Sequence, residues 1–122
     1  MRAAGALAAL VFACTASSGW AQVTSCSTAA TQLDANFCAK AAWEDADREL
    51  NGLWRVLKPR ADQAGWGGRL LTEQRAWIAR RDGTCEAERA EYGGGSIAPM
   101  VYWRCMERLT RARNSEFLNM MR

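Results

Sequence analysis

Cysteines are the residues of this chain best suited by type to covalent or metal chemistry, and their spacing argues against both. Cys14, Cys26, Cys38, Cys85 and Cys105 contain no CxxC pair, and the chain has no histidine. Redox exchange and zinc binding therefore lack their usual supporting residues. Acid–base work would fall to carboxylates such as Asp47, Asp82 and Glu86. Asp45 and Asp47 project to different faces of a helix, and Glu44 with Arg48 makes an ordinary i,i+4 pair. No carboxylate pair spaced for glycoside hydrolysis emerges from one helix. The inventory predicts a non-enzyme with no catalytic residue, no metal and no cofactor.

A disulfide framework is the alternative use of these cysteines. The N-terminus supports the oxidising compartment it needs. Met1-Arg2 is a short basic start, Ala3 to Ala13 is apolar, and Gly19-Trp20-Ala21 is an A-x-A-like cleavage site. Residues 1–21 read as a signal peptide cleaved before Gln22, which leaves one domain over residues 22–122. The apolar run, roughly eleven residues, is too short to span a bilayer. Val11-Phe12-Ala13-Cys14 also loosely resembles a lipobox, and acylation at Cys14 would add a lipid anchor. Otherwise Cys14 leaves with the signal and four cysteines remain. The expected location is periplasmic or secreted.

The elements that must carry these cysteines are helical. Ala39, Ala42, Trp43, Ala46, Leu50, Leu53, Trp54 and Leu57 recur at three and four, which predicts a helix from about Thr31 to Leu57. Pro59 is expected to stop it, and Ala61 to Gly68 to form a turn around Trp66. Leu70, Gln74, Trp77, Arg81 and Cys85 share a face of a second helix, about Arg69 to Tyr92, ended by Gly93-Gly94-Gly95. A third begins near Ser96 or Pro99 and carries Val101, Cys105, Leu109 and Ala112. No segment alternates with period two. The fold class is all-α, a small disulfide-stapled antiparallel three-helix bundle.

In that arrangement all four cysteines fall at one end. Cys85 and Cys105 lie nearly level across the glycine turn, which favours Cys85–Cys105 with Cys26–Cys38. The alternative, Cys38–Cys85 with Cys26–Cys105, stays open.

Binding candidates lie in the turns. Gly94 and Gly95 permit close backbone approach, Tyr92 offers an aromatic anchor and Ser96 a hydroxyl, although a tight reversal would use the same residues. Trp66, flanked by glycine, could cover the bundle end, stack on a sugar ring or anchor a protein interface. Arg81-Asp82 reads as a polar pair bridging to neighbouring helices, through Asn36, Asp47 or Asn51. Arg104, Arg108 and Arg111 form a basic stripe opposite a net acidic first helix. With 16 basic and 13 acidic residues the net charge is +3. No basic cluster interleaves with aromatics, so nucleic acid is not an expected partner.

Three blocks carry a family resemblance. Thr31-Gln32 with Asn36 and Cys38-Ala39, then Ala46-Asp47 with Leu50-Asn51, form the first. Gln74-Arg75-Ala76-Trp77-Ile78 with Arg81-Asp82 and Cys85 form the second. Gly94-Gly95-Ser96-Ile97 with Pro99-Met100, then Cys105, Leu109-Thr110 and Arg113, form the third. In this order they resemble the LprI-type lysozyme-inhibitor family of bacterial envelope proteins. Asp34-Ala35 and Trp54 depart from the family pattern without touching the cysteines or the glycine turn. The resemblance implies a secreted helical domain whose partner is a lysozyme or related peptidoglycan hydrolase, inhibited by occlusion of its cleft. Rival functions are a non-inhibitory cell-envelope interaction or scaffold domain, and an immunity protein against a cell-wall hydrolase.

Overall fold

A computed structural model describes residues 26–122, so the expected signal peptide and Cys14 lie outside the described residues. A short 3-10 turn at Cys26–Thr28 leads into α1 (Gln32–Gln63), α2 (Gly67–Ala90) and α3 (Ala98–Met120). The described residues contain no strand. The three helices run up, down and up, with α3 packed along both partners and α1 and α2 meeting more sparingly.

Each boundary has a local cause. Thr31 caps α1, its Oγ1 accepting from the Asp34 amide at 3.1 Å. Contrary to expectation, Pro59 does not stop the helix, which runs on to Gln63. Proline forfeits one backbone bond toward Arg55, but Leu57 and Ala61 on either side of it are completely or almost completely buried. Burial of the following turn against Leu70 and Phe117 offsets the missing bond.

The α1–α2 turn is therefore shorter than Ala61 to Gly68. Gly65, at φ 84°, donates to the Asp62 carbonyl at 3.1 Å, and the Trp66 amide donates to Ala61 at 2.9 Å. This paired reversal is the Schellman motif, which requires a left-handed residue where Gly65 stands. Gly67 follows immediately, and a Cβ there would collide with the Asp62 carboxylate. At the other end α3 starts at Ala98 with Pro99 in its first turn and no side-chain cap. Of the two expected starts, Ser96 as cap is ruled out.

Both favoured disulfides are present, Cys26–Cys38 and Cys85–Cys105, each with Cα atoms 5.5 Å apart. The core is divided. Leu50, Leu57, Ala61, Leu70 and Phe117 form one apolar cluster near the α1–α2 turn. Cys85, Cys105 and Met106 form another near the α2–α3 turn, covered by Trp43, Tyr102 and Trp103. Between them lies a buried polar layer of Gln74, Arg81, Thr110, Arg113 and Asn114.

That layer is bonded nearly throughout, as buried polar groups must be. Arg113 Nε donates to Gln74 Oε1 at 2.9 Å, and its Nη1 reaches Glu73 at 3.1 Å and Glu116 at 2.5 Å. Asn114 Nδ2 donates to the Ala46 carbonyl of α1 at 3.0 Å. The Trp77 ring receives Arg81 at 5.0 Å and Arg113 at 5.6 Å, so one indole is shared by two guanidinium groups.

Candidate functional site

The α2–α3 turn carries four of the expected binding residues, Tyr92, Gly94, Gly95 and Ser96. Gly93 adopts φ 54°, its amide donates to the Ala90 carbonyl, and Gly95 donates to the Tyr92 carbonyl at 3.1 Å. Gly94 needs glycine for neither φ nor space, and its bare backbone is exposed. Tyr92 is 48% exposed beside it.

This turn is braced from α1. Asn36 Nδ2 donates to the Ser96 carbonyl at 3.0 Å, and Gln32 Nε2 donates to Asn36 Oδ1 at 2.9 Å. Gln32 Nε2 also lies 3.7 Å from the Met100 sulfur. The first and third sequence blocks thus meet through polar contacts. Cys26–Cys38 anchors the chain before α1 to the same end.

Four large apolar side chains are exposed here: Leu33 and Phe37 at 63% each, Tyr92, and Ile97 at 36%. Asp34 and Glu91 lie among them in no ion pair with another described residue. The end therefore presents apolar anchors with local negative charge on a rigid base.

The expected site residues are not all brought together. Tyr92, Gly94, Gly95 and Ser96 share the braced end. Trp66 stands at the opposite end of the 24-residue α2, about 36 Å of helix away. Trp66 packs on the core cluster that contains Ala61, following the Schellman turn that fixes its amide. Ser96 engages through its backbone carbonyl, leaving no cap for α3.

Arg81 and Asp82, expected to bridge to neighbouring helices, first meet each other: Arg81 Nε donates to Asp82 Oδ1 at 3.0 Å. The long arginine side chain curls along the helix and spans the angular offset. Its bridge to another helix goes to Thr110 Oγ1 of α3 at 3.3 Å. Asn36, one expected partner, is committed to Ser96 instead.

Within the basic stripe, Arg108 pairs with Glu88 of α2 at 2.7 Å and Arg111 with Glu107 of its own helix at 2.7 Å. The Arg111 Nη2 also approaches the Ala42 carbonyl at 3.5 Å. The Arg108–Glu88 and Arg111–Ala42 contacts fasten α3 to α2 and to α1, while Arg111–Glu107 lies within α3. Tyr102, near the same end, has its phenol raised above the usual range by burial and then by Asp82 and Glu86. Among the described residues no cluster of three metal-ligating side chains exists.

A concavity elsewhere in the bundle has no counterpart among the expected site residues. Between α1 and α2 a groove of about 310 Å³ has Asp47 and Asn51 on one wall and Gln74, Arg75 and Arg81 on the other. Leu50, Trp54, Leu71 and Ile78 supply its apolar surface. The i, i+3, i+4, i+7 spacing of Asp47, Leu50, Asn51 and Trp54 was a legible signal, since it puts all four on one stripe. The corresponding stripe on α2 runs from Leu71 through Gln74, Arg75 and Ile78 to Arg81.

Comparison with known proteins agrees with these blocks. The family model described as "Lysozyme inhibitor LprI" matches residues 24–117. An uncharacterized protein of Rhizobium meliloti (strain 1021) is 37% identical over 134 residues, covering 99% of this chain and 96% of that protein. No solved structure matches significantly.

Proposed function

The chain belongs to the LprI lysozyme inhibitor family, and from that premise we propose that it inhibits a lysozyme-type peptidoglycan hydrolase by inserting its α2–α3 turn end into the enzyme cleft. The carrying observation is the Asn36–Ser96 bond at 3.0 Å. It turns an exposed glycine loop into a fixed projection, so little ordering cost is left for binding. Tyr92, Gly94, Gly95 and Ser96 are the contact residues of this reading, with Phe37 and Leu33 as flanking apolar surface.

Electrostatics support the orientation. The chain's formal charge of +3 gives no general attraction to a basic enzyme. Asp34 and Glu91 at this end supply the local complement that net charge lacks. The paired cysteines support secretion into an oxidising compartment, with residues 1–21 as a cleaved leader. No described helix is long and apolar enough to cross a membrane.

The test is a muramidase assay with oxidised protein against several lysozymes, comparing the parent with Glu91→Lys and Tyr92→Ala. Inhibition by the parent, slower association for Glu91→Lys and faster dissociation for Tyr92→Ala are the expected results. No inhibition of any lysozyme at micromolar protein would favour a non-inhibitory envelope scaffold. Full inhibition by both variants would remove the turn end from the interface.

A further inference from the structure

The groove between α1 and α2 separates opposite charges that the bundle places at one level. Counting from the α1–α2 turn, Asp47 and Arg81 are nearly equidistant along their antiparallel helices, yet no ion pair joins Asp47 to Arg75 or Arg81. Asp47 accepts from Asn51 through Oδ2 at 3.2 Å, which leaves Oδ1 available. Arg75 is exposed and makes no ion pair with a described residue.

The opposite wall is rigidly built. Gln74 and Arg81 are only 7% and 8% exposed, and each is fixed from α3. Arg113 holds the Gln74 carbonyl oxygen at 2.9 Å, so the amide nitrogen remains as a donor. Thr110 and Asp82 occupy Nη1 and Nε of Arg81, so Nη2 remains. The apolar surface between the walls includes Ile78, which is 38% exposed.

An acidic wall, a basic wall with oriented donors and an apolar floor match one ligand chemistry. We propose that this groove binds a zwitterion with an apolar side chain, an amino acid or short peptide, with its ammonium on Asp47 and its carboxylate on Arg75 and Arg81. The apolar side chain lies over Leu50, Trp54 and Ile78. A volume of about 310 Å³ suits one or two residues. The site lies midway along the bundle, apart from the turn end, and does not depend on inhibition of a hydrolase.

The experiment is an amide-resolved NMR titration of the oxidised protein with leucyl-leucine and leucine. N-acetyl-leucyl-leucine and leucyl-leucine amide each remove one charge. Saturable shifts confined to residues 47–54 and 71–81 are expected, with the tighter of leucine and leucyl-leucine identifying the source. Loss of either terminal charge should weaken binding about tenfold or more. Asp47→Asn should abolish the preference for the free ammonium, and Arg75→Gln should reduce the preference for the free carboxylate. Unchanged circular dichroism keeps these variants interpretable, and an Asn51 side-chain amide that shifts with the parent but not with Asp47→Asn locates the ammonium. No saturable shift with either free ligand up to about 10 mM, equal binding of the blocked peptides, or variants that keep both preferences would overturn the proposal.

Discussion

Asn36 Nδ2 holds the Ser96 carbonyl at 3.0 Å across 60 residues of sequence, joining the second turn of α1 to the loop before α3. Among the described residues, the loop's other hydrogen bonds are short-range backbone ones. Asn36→Ala should cost about 1 kcal/mol of stability, because the freed carbonyl can reach water. Hydrogen exchange at the Gly95 to Ile97 amides should accelerate by more than global destabilisation explains, and lysozyme inhibition should fall in parallel. Unchanged exchange in the loop would show that the brace does not order it.

Tyr92 and Ser96 divide binding from stability. Tyr92→Ala removes an exposed ring and should weaken inhibition by about 1–3 kcal/mol with the melting temperature nearly unchanged. Ser96→Ala retains the carbonyl that Asn36 holds, and no helix cap is lost. Its stability should match the parent, so any loss of inhibition reports on the hydroxyl alone. A fall in melting temperature for Ser96→Ala would reveal a structural role that its contacts do not supply.

Much of the architecture was legible because helical periodicity and cysteine level are local and geometric. Leu50, Leu57, Leu70 and Cys85 lie where their spacing put them. Pro59 misled because a proline's local cost is visible in sequence while the burial of Ala61 beyond it is tertiary. The brace was hidden for a similar reason: Asn36 has several equally spaced partners on paper, and only packing selects Ser96. The groove was missed because Asp47 and Arg81 read as bridging residues, and sequence cannot show that the bridge is left open.

The two disulfides should differ in accessibility. Cys85 and Cys105 are fully buried, whereas Cys26 is exposed. Mild reductant followed by alkylation and mass spectrometry should label Cys26 and Cys38 first, with Cys85 and Cys105 labelled only on global unfolding. Cys85→Ser should lower stability by about 3 kcal/mol, chiefly by freeing the unfolded chain across a separation of 20 residues. Equal labelling of all four cysteines in folded protein would contradict the buried position of the second pair.

Arg113 tests whether the polar layer stabilises or merely specifies the bundle. Its Glu73 and Glu116 partners are about half exposed and can resolvate, but Gln74 cannot. Arg113→Met should therefore cost about 1–3 kcal/mol, mostly from the stranded Gln74 carbonyl. Adding Gln74→Leu should recover part of that loss in a double-mutant cycle. Strict additivity of the two changes would mean that the 2.9 Å bond carries no coupling.

Pro59→Ala is expected to stabilise the protein, the opposite of most substitutions. The helix is continuous through this position, residue 59 is exposed, and alanine would restore an amide able to donate to Arg55. The gain should be about 1–3 kcal/mol, reduced because the site lies near the helix end where carbonyls reach water. Thermal melts of the oxidised variant would show it, and inhibition should not change because Pro59 is remote from the Tyr92 turn. A melting temperature at or below the parent's would mean that the proline ring itself packs favourably enough to replace the missing bond.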